Sequence, residues 1–159
     1  MAKGQINAVS FLLSMIFYAV VIALLVGMIA VLQKDNLYAA NRDALTVTGA
    51  SITDMLSRSG GVPGNWETNT SSIQAIGLAS TSNNLSVLKV NAFVALNYDV
   101  SRAALGIPNS TNYYFAIVNA SGSVLKQSGV DSNSSGMALV FTRYVVWNGS
   151  SARMTLKLY

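Results

Sequence analysis

The sequence predicts an α+β protein, with one long N-terminal helix packed on a small antiparallel β-sheet domain. Three observations carry this. No charged residue occurs between Gly4 and Gln33, an uncharged run longer than the roughly 20 residues that cross a bilayer as a helix. Apolar and small side chains then continue at helical spacing to Leu56, with no proline before Pro63. From Tyr113 onward, β-branched and aromatic residues come in short runs between turn signals.

The helix has two parts. Residues 5–32 are apolar all round, as a membrane-spanning helix requires, and the run is too long for the h-region of a signal peptide that is removed whole. Lys3 precedes it and Lys34 follows, and the basic N-terminal stub places the N-terminus on the cytoplasmic side. Residues 33–59 continue the helix amphipathically. Leu37, Ala44, Leu45, Thr48, Ile52, Met55 and Leu56 form a stripe for an outer domain to rest on. Ser59-Gly60-Gly61-Val62-Pro63 stops the helix, because glycine accepts a left-handed cap and proline cannot continue the ladder. Gly27 and Gly49 are its weakest positions, each costing about 1 kcal/mol relative to Ala.

Residues 60–159 make the outer domain. Ser72 to Ala79 reads as an extended segment. Ser86 N-caps a helix to about Leu96 that presents Val87, Val90, Phe93 and Val94 on one face. Asp99 caps a short turn of helix ending at Gly106. Strands follow at Tyr113–Asn119, Val124–Gly129, Met137–Trp147 and Met154–Tyr159, with Asn148-Gly149 as a type I′ hairpin turn. The expected sheet is a four-stranded antiparallel meander on the helix stripe. Trp66, Phe93, Tyr113, Phe115, Phe141 and Trp147 are expected in its core, since aromatics dominate burial in a small domain.

Composition argues against several kinds of chemistry. The chain has no His and no Cys, so the commonest general base and metal ligands are missing, and no cofactor is expected. Its six carboxylates, Asp35, Asp43, Asp54, Glu67, Asp99 and Asp131, are scattered, and neither a catalytic constellation nor a metal site is expected. The net charge of +4 comes from isolated Lys and Arg, without the clustered basic stripe of a nucleic-acid binder. Six Asn-X-Ser/Thr sequons, at Asn69, Asn84, Asn109, Asn119, Asn133 and Asn148, all lie beyond the long helix, where glycosylation enzymes act on exported chains.

Met1-Ala2-Lys3-Gly4-Gln5-Ile6, set directly before the apolar run, resembles an archaeal class III signal peptide. Gly61-Val62-Pro63-Gly64-Asn65-Trp66-Glu67, Ile76-Gly77-Leu78-Ala79, Asn84-Leu85-Ser86 and Lys89-Val90 look like archaeal type IV pilin-like proteins. The resemblance implies a pilin-like fold and a cytoplasmic-face prepilin peptidase that removes residues 1–4 by cutting between Gly4 and Gln5. It implies a helix held in membrane lipid before assembly and in a filament core afterwards, with the C-terminal domain outside the cell. The implied partners are copies of the chain or related pilins, and the role is structural rather than enzymatic. Ala19, Ala23 and Gly27, spaced i, i+4, i+8, would let neighbouring helices approach. Val9 stands where many pilins carry Glu, and this departure favours the alternative of a minor pilin or a membrane-anchored surface glycoprotein or adhesin.

Overall fold

The computed structural model describes residues 2–132 and 138–159, with backbone alone at 2–8, 35, 37, 38 and 41. The chain divides into two compact units, Met1–Asp43 and Ala44–Tyr159. Helix α1, Ala2–Arg58, contributes to both. It begins at Ala2 rather than near residue 5, because no proline or cap signal in the first residues opposes helix there.

In the second unit α1 is followed by two 3-10 turns, Trp66–Thr68 and Thr70–Ser72, and by β1 (Ala79–Thr81) and β2 (Asn84–Leu85). Helices α2 (Val87–Ala95) and α3 (Tyr98–Ala104) come next. The chain closes with β3 (Tyr113–Asn119), β4 (Val124–Gly129), β5 (Leu139–Trp147) and β6 (Ser150–Leu158). The fold is α+β, a long apolar helix with a mixed six-stranded sheet in the order β1-β2-β5-β6-β3-β4.

The expected four-stranded meander is corrected here: β6 lies between β3 and β5, and β2 joins β5 in parallel. Burial follows the order. In β3, Tyr113, Phe115 and Ile117 fill the core while Ala116 and Val118 are also buried, and the strand pairs with β4 on one edge and β6 on the other. β4 buries none of its residues and takes the edge. The β5–β6 hairpin turns as expected, with φ of 52° at Asn148 and 74° at Gly149, both positive as a type I′ turn requires.

The segment expected to be extended from Ser72 begins as a 3-10 turn, makes one bridge from Ala75 to Val62, and becomes strand only at Ala79. The β1–β2 hairpin is new, turning through Ser82 and Asn83, whose φ is 60°. It caps the end of α1. The amides of Leu78, Asn83 and Ala79 donate to the carbonyls of Leu56, Ser57 and Ser59 at 3.1, 2.8 and 3.0 Å. Carbonyls that a helix end leaves without partners are thereby satisfied by strand-forming backbone.

Two helix details also differ. α2 is capped by Ser86, whose Oγ accepts from the Lys89 amide at 3.5 Å, but it buries Lys89, Val90 and Phe93 while Val87 is exposed and Val94 half-buried. α3 is capped by Asn97 rather than Asp99. The Asn97 side chain accepts from the Asp99 amide at 2.9 Å, and Asp99 sits inside the first turn, where the helix dipole favours an acid.

Of the expected α1 stripe, Ile52 and Leu56 are fully buried, Leu45, Thr48 and Met55 are half-buried, and Ala44 is exposed. The side chain of Leu37 lies outside the described residues. Trp66, Phe93, Tyr113 and Phe115 are fully buried, while Phe141 and Trp147 pack partly buried against the core. Phe93 meets Phe115 edge-on at 5.1 Å, and Tyr98 stacks on Tyr113 at 5.1 Å.

Candidate functional site

The first candidate is a helix surface. The described helix from Val9 to Lys34, 26 residues long, holds an 18-residue stretch with a mean hydropathy of 2.9 and is long and apolar enough to cross a membrane. Nearly every side chain in it is exposed, including Phe11, Leu13, Phe17, Leu24 and Leu25. Exposing such side chains to water costs about 1.5–3 kcal/mol each, which an apolar covering would recover. Its polar content suits that setting: Ser14 Oγ donates to the Ser10 carbonyl at 2.9 Å, which leaves its hydroxyl satisfied without water. Ala19, Ala23 and Gly27 are exposed, and nothing lies within 4 Å of the position a Cβ would take on Gly27. Gly4 and Gln5 lie on helical backbone, and the Gln5 side chain is outside the described residues.

The second candidate is a clamp at the end of α1. Lys89, on α2, is buried and reaches back across 29 residues. Its Nζ donates to the carbonyls of Gly60 and Gly64, each at 2.5 Å, and stands 3.7 Å from Glu67 Oε2. Trp66, fully buried, donates from Nε1 to the Gly77 carbonyl at 3.0 Å. Gly77 can only be glycine here: a Cβ would stand 2.2 Å from the Ser59 carbonyl oxygen and 2.3 Å from the Gly61 nitrogen. Thus Gly60, Gly64 and Glu67 meet around one buried ammonium, and Gly77 packs beside them against Ser59, Gly61 and Trp66. The burial of Lys89 was not foreseen from the sequence. The signal available was a lysine on the apolar face of a capped helix, one residue from Val90.

No known protein family, curated protein or solved structure matches this chain. The chemistry of the site therefore rests on its own residues.

The remaining charges form local pairs. Arg102 Nη2 lies 2.9 Å from Asp99 Oδ1, while Glu67 faces Lys89. Among the described residues no three Asp or Glu side chains gather in a way that could hold a metal ion. Lys157 Nζ reaches both oxygens of Asp131, at 2.9 and 3.1 Å, and the Tyr159 hydroxyl donates to the same carboxylate. The Tyr159 hydrogen bond, then Lys157, holds the Asp131 carboxyl below its ordinary range, and the bond to Asp131 raises Lys157.

The sequons differ in exposure. Asn69, Asn84, Asn109 and Asn148 are exposed. Asn119 is half-buried, and its Oδ1 accepts from the Ser121 hydroxyl at 2.7 Å and the Ser123 amide at 2.8 Å. Asn133 lies outside the described residues.

Proposed function

We propose that this chain is a structural subunit of an archaeal type IV pilus-like surface filament, exported as a prepilin and assembled through its apolar N-terminal helix. The observation that carries the reading is the exposed apolar surface from Val9 to Lys34, set directly behind Lys3-Gly4-Gln5. In this reading a prepilin peptidase cuts between Gly4 and Gln5, and the helix waits in lipid. It then exchanges lipid for the helices of other copies or related pilins. Lipid and a bundle of like helices are both apolar, so the exchange is decided by packing, and small residues at Ala19, Ala23 and Gly27 favour close approach. The clamp around Lys89 fits a subunit whose outer domain must hold the last turns of α1 firmly. The role is structural, not enzymatic, and glycans on the exposed sequons would lie on the outer surface.

Val9 supports a second reading. An apolar side chain there removes the acidic contact that registers many pilins, as suits a minor pilin or a membrane-anchored surface glycoprotein or adhesin.

Mass spectrometry of protein from the native host, together with imaging of sheared filaments labelled for this chain, tests the proposal. The expected N-terminus is Gln5, with label along the filament. An N-terminus at Met1 or near Val31 would overturn the prepilin reading. Cleavage at Gln5 with label only at filament tips or in the membrane fraction would decide for the second reading.

A further inference from the structure

The outer domain carries an open groove of about 440 Å³ that shares only the sequon at Asn119 with the features above. It lies where the β3–β4 turn meets the outward face of β5 and β6, lined among others by Asn119, Ser121, Tyr144, Ser151 and Arg153. Tyr144 and Arg153 are directly opposed across the β5–β6 ladder. Tyr144 is 77% exposed, the most exposed large apolar or aromatic side chain in the described residues.

The charge balance around the groove is uneven. In the unit Ala44–Tyr159 every Asp and Glu side chain is already ion-paired: Asp54 with Arg58 and Arg143, Glu67 with Lys89, Asp99 with Arg102, and Asp131 with Lys157. Among the described residues of this unit, Lys126 and Arg153 are left without a carboxylate. Only Arg153 lines the groove. A guanidinium presents a planar fork of donors that matches a carboxylate. A flat exposed phenol ring beside it offers an apolar face, and the hydroxyl and amide groups of Ser121, Ser151 and Asn119 offer neutral hydrogen-bonding partners.

We propose that this groove binds an acidic saccharide, with the sugar ring against Tyr144 and its carboxylate on Arg153. One guanidinium among small neutral polar groups suits a ligand carrying one negative charge per sugar and many hydroxyls. A second copy of this unit is a poorer occupant, since its Asp and Glu side chains are already paired with its own cations. The inference does not depend on filament assembly.

The test uses the full chain in detergent micelles, made in a host without N-glycosylation so that Asn119 is bare. Calorimetric titration compares oligogalacturonate, its methyl-esterified neutral form and an Asp-rich peptide. Binding is expected for oligogalacturonate and at least about tenfold weaker binding for the other two. Arg153→Gln and Tyr144→Ala should each weaken oligogalacturonate about tenfold or more with unchanged thermal melts, while Lys126→Gln binds as the parent does. Equal loss in Lys126→Gln would reduce the effect to net charge and overturn the site. So would equal binding of the Asp-rich peptide, the absence of any saccharide binding, or an Arg153→Gln variant altered only in self-association. Soluble saccharide and surface-borne saccharide are then separated by repeating the titration with oligogalacturonate immobilised on beads.

Discussion

Arg143 Nη2 on β5 stands 2.7 Å from Asp54 Oδ1 on α1, and Arg58 Nε stands 3.2 Å from the same oxygen. One carboxylate thus ties the last turns of the helix both to themselves and to a strand 89 residues away. The pair is part-exposed, so its contribution is modest, about 0.5–1 kcal/mol. A double-mutant cycle with Asp54→Ala and Arg143→Ala, read by urea unfolding, should return a coupling of that size that shrinks in high salt. Zero coupling would reduce the contact to coincidence.

Beside that pair the helix touches β5 at a glycine. A Cβ on Gly49 would meet the Phe141 ring at 2.1 Å. By helix propensity Gly49→Ala should stabilise α1 by about 1 kcal/mol. The contact reverses the sign, and we expect a net loss of about 1–2 kcal/mol from overpacking. Phe141→Ala in the same chain should restore most of what the glycine substitution removed, whereas additive losses would show that the two residues do not meet.

Lys89→Met should cost about 3 kcal/mol. It leaves the Gly60 and Gly64 carbonyls and the Glu67 carboxylate without their cation. Adding Glu67→Gln should recover part of the loss by removing the stranded charge. Equal stability of Lys89→Met and the parent in chemical denaturation would refute the clamp.

Asp131 predicts a pH dependence. Its folded pKa is depressed by Tyr159 and Lys157. The stabilisation is therefore present above the ordinary carboxylate pKa of about 3.9 and is lost as pH falls through the lower folded value. Melting curves between neutral pH and strong acid should fall less steeply for Asp131→Asn than for the parent. Parallel curves would exclude Asp131 as a source of acid sensitivity.

Ala23 tests assembly. Ala23→Leu adds only apolar surface and should leave membrane insertion intact. In a filament it should impair packing, since overpacking costs about 1–3 kcal/mol per site and recurs in every subunit. Ala23→Asp should instead disfavour insertion itself, by about 2.5–3.5 kcal/mol at the helix centre. Cell fractionation and filament imaging separate the two. Normal filaments with Ala23→Leu would remove the major-subunit reading.

Local signals were legible along much of the chain. The uncharged run, the stop at Gly60-Gly61, the Ser86 cap, the strand residues of β3 and β4 and the Asn148-Gly149 turn each depend on neighbours a few positions away. For that reason periodicity and turn chemistry alone specified them. The β1–β2 hairpin escaped because its strands have three and two residues, too short to show alternation, and only Asn83 marked the turn. The candidate groove was not legible, since Asn119 and Tyr144 are separated by the whole of β4.

Sequence by itself determined that this protein has an apolar helix long enough to span a membrane, followed by an α+β domain without His or Cys. It also determined which residues favour strand. Tertiary structure alone decided that β6 runs between β3 and β5, that Lys89 is buried, and that Gly49 is a seat for Phe141 rather than a flaw in the helix. The physical reason is range. Helix and turn preferences are written in adjacent side chains. Strand order, buried charge and close approach are settled by which distant surfaces must exclude water together, and by which carbonyls remain for a buried ammonium to meet.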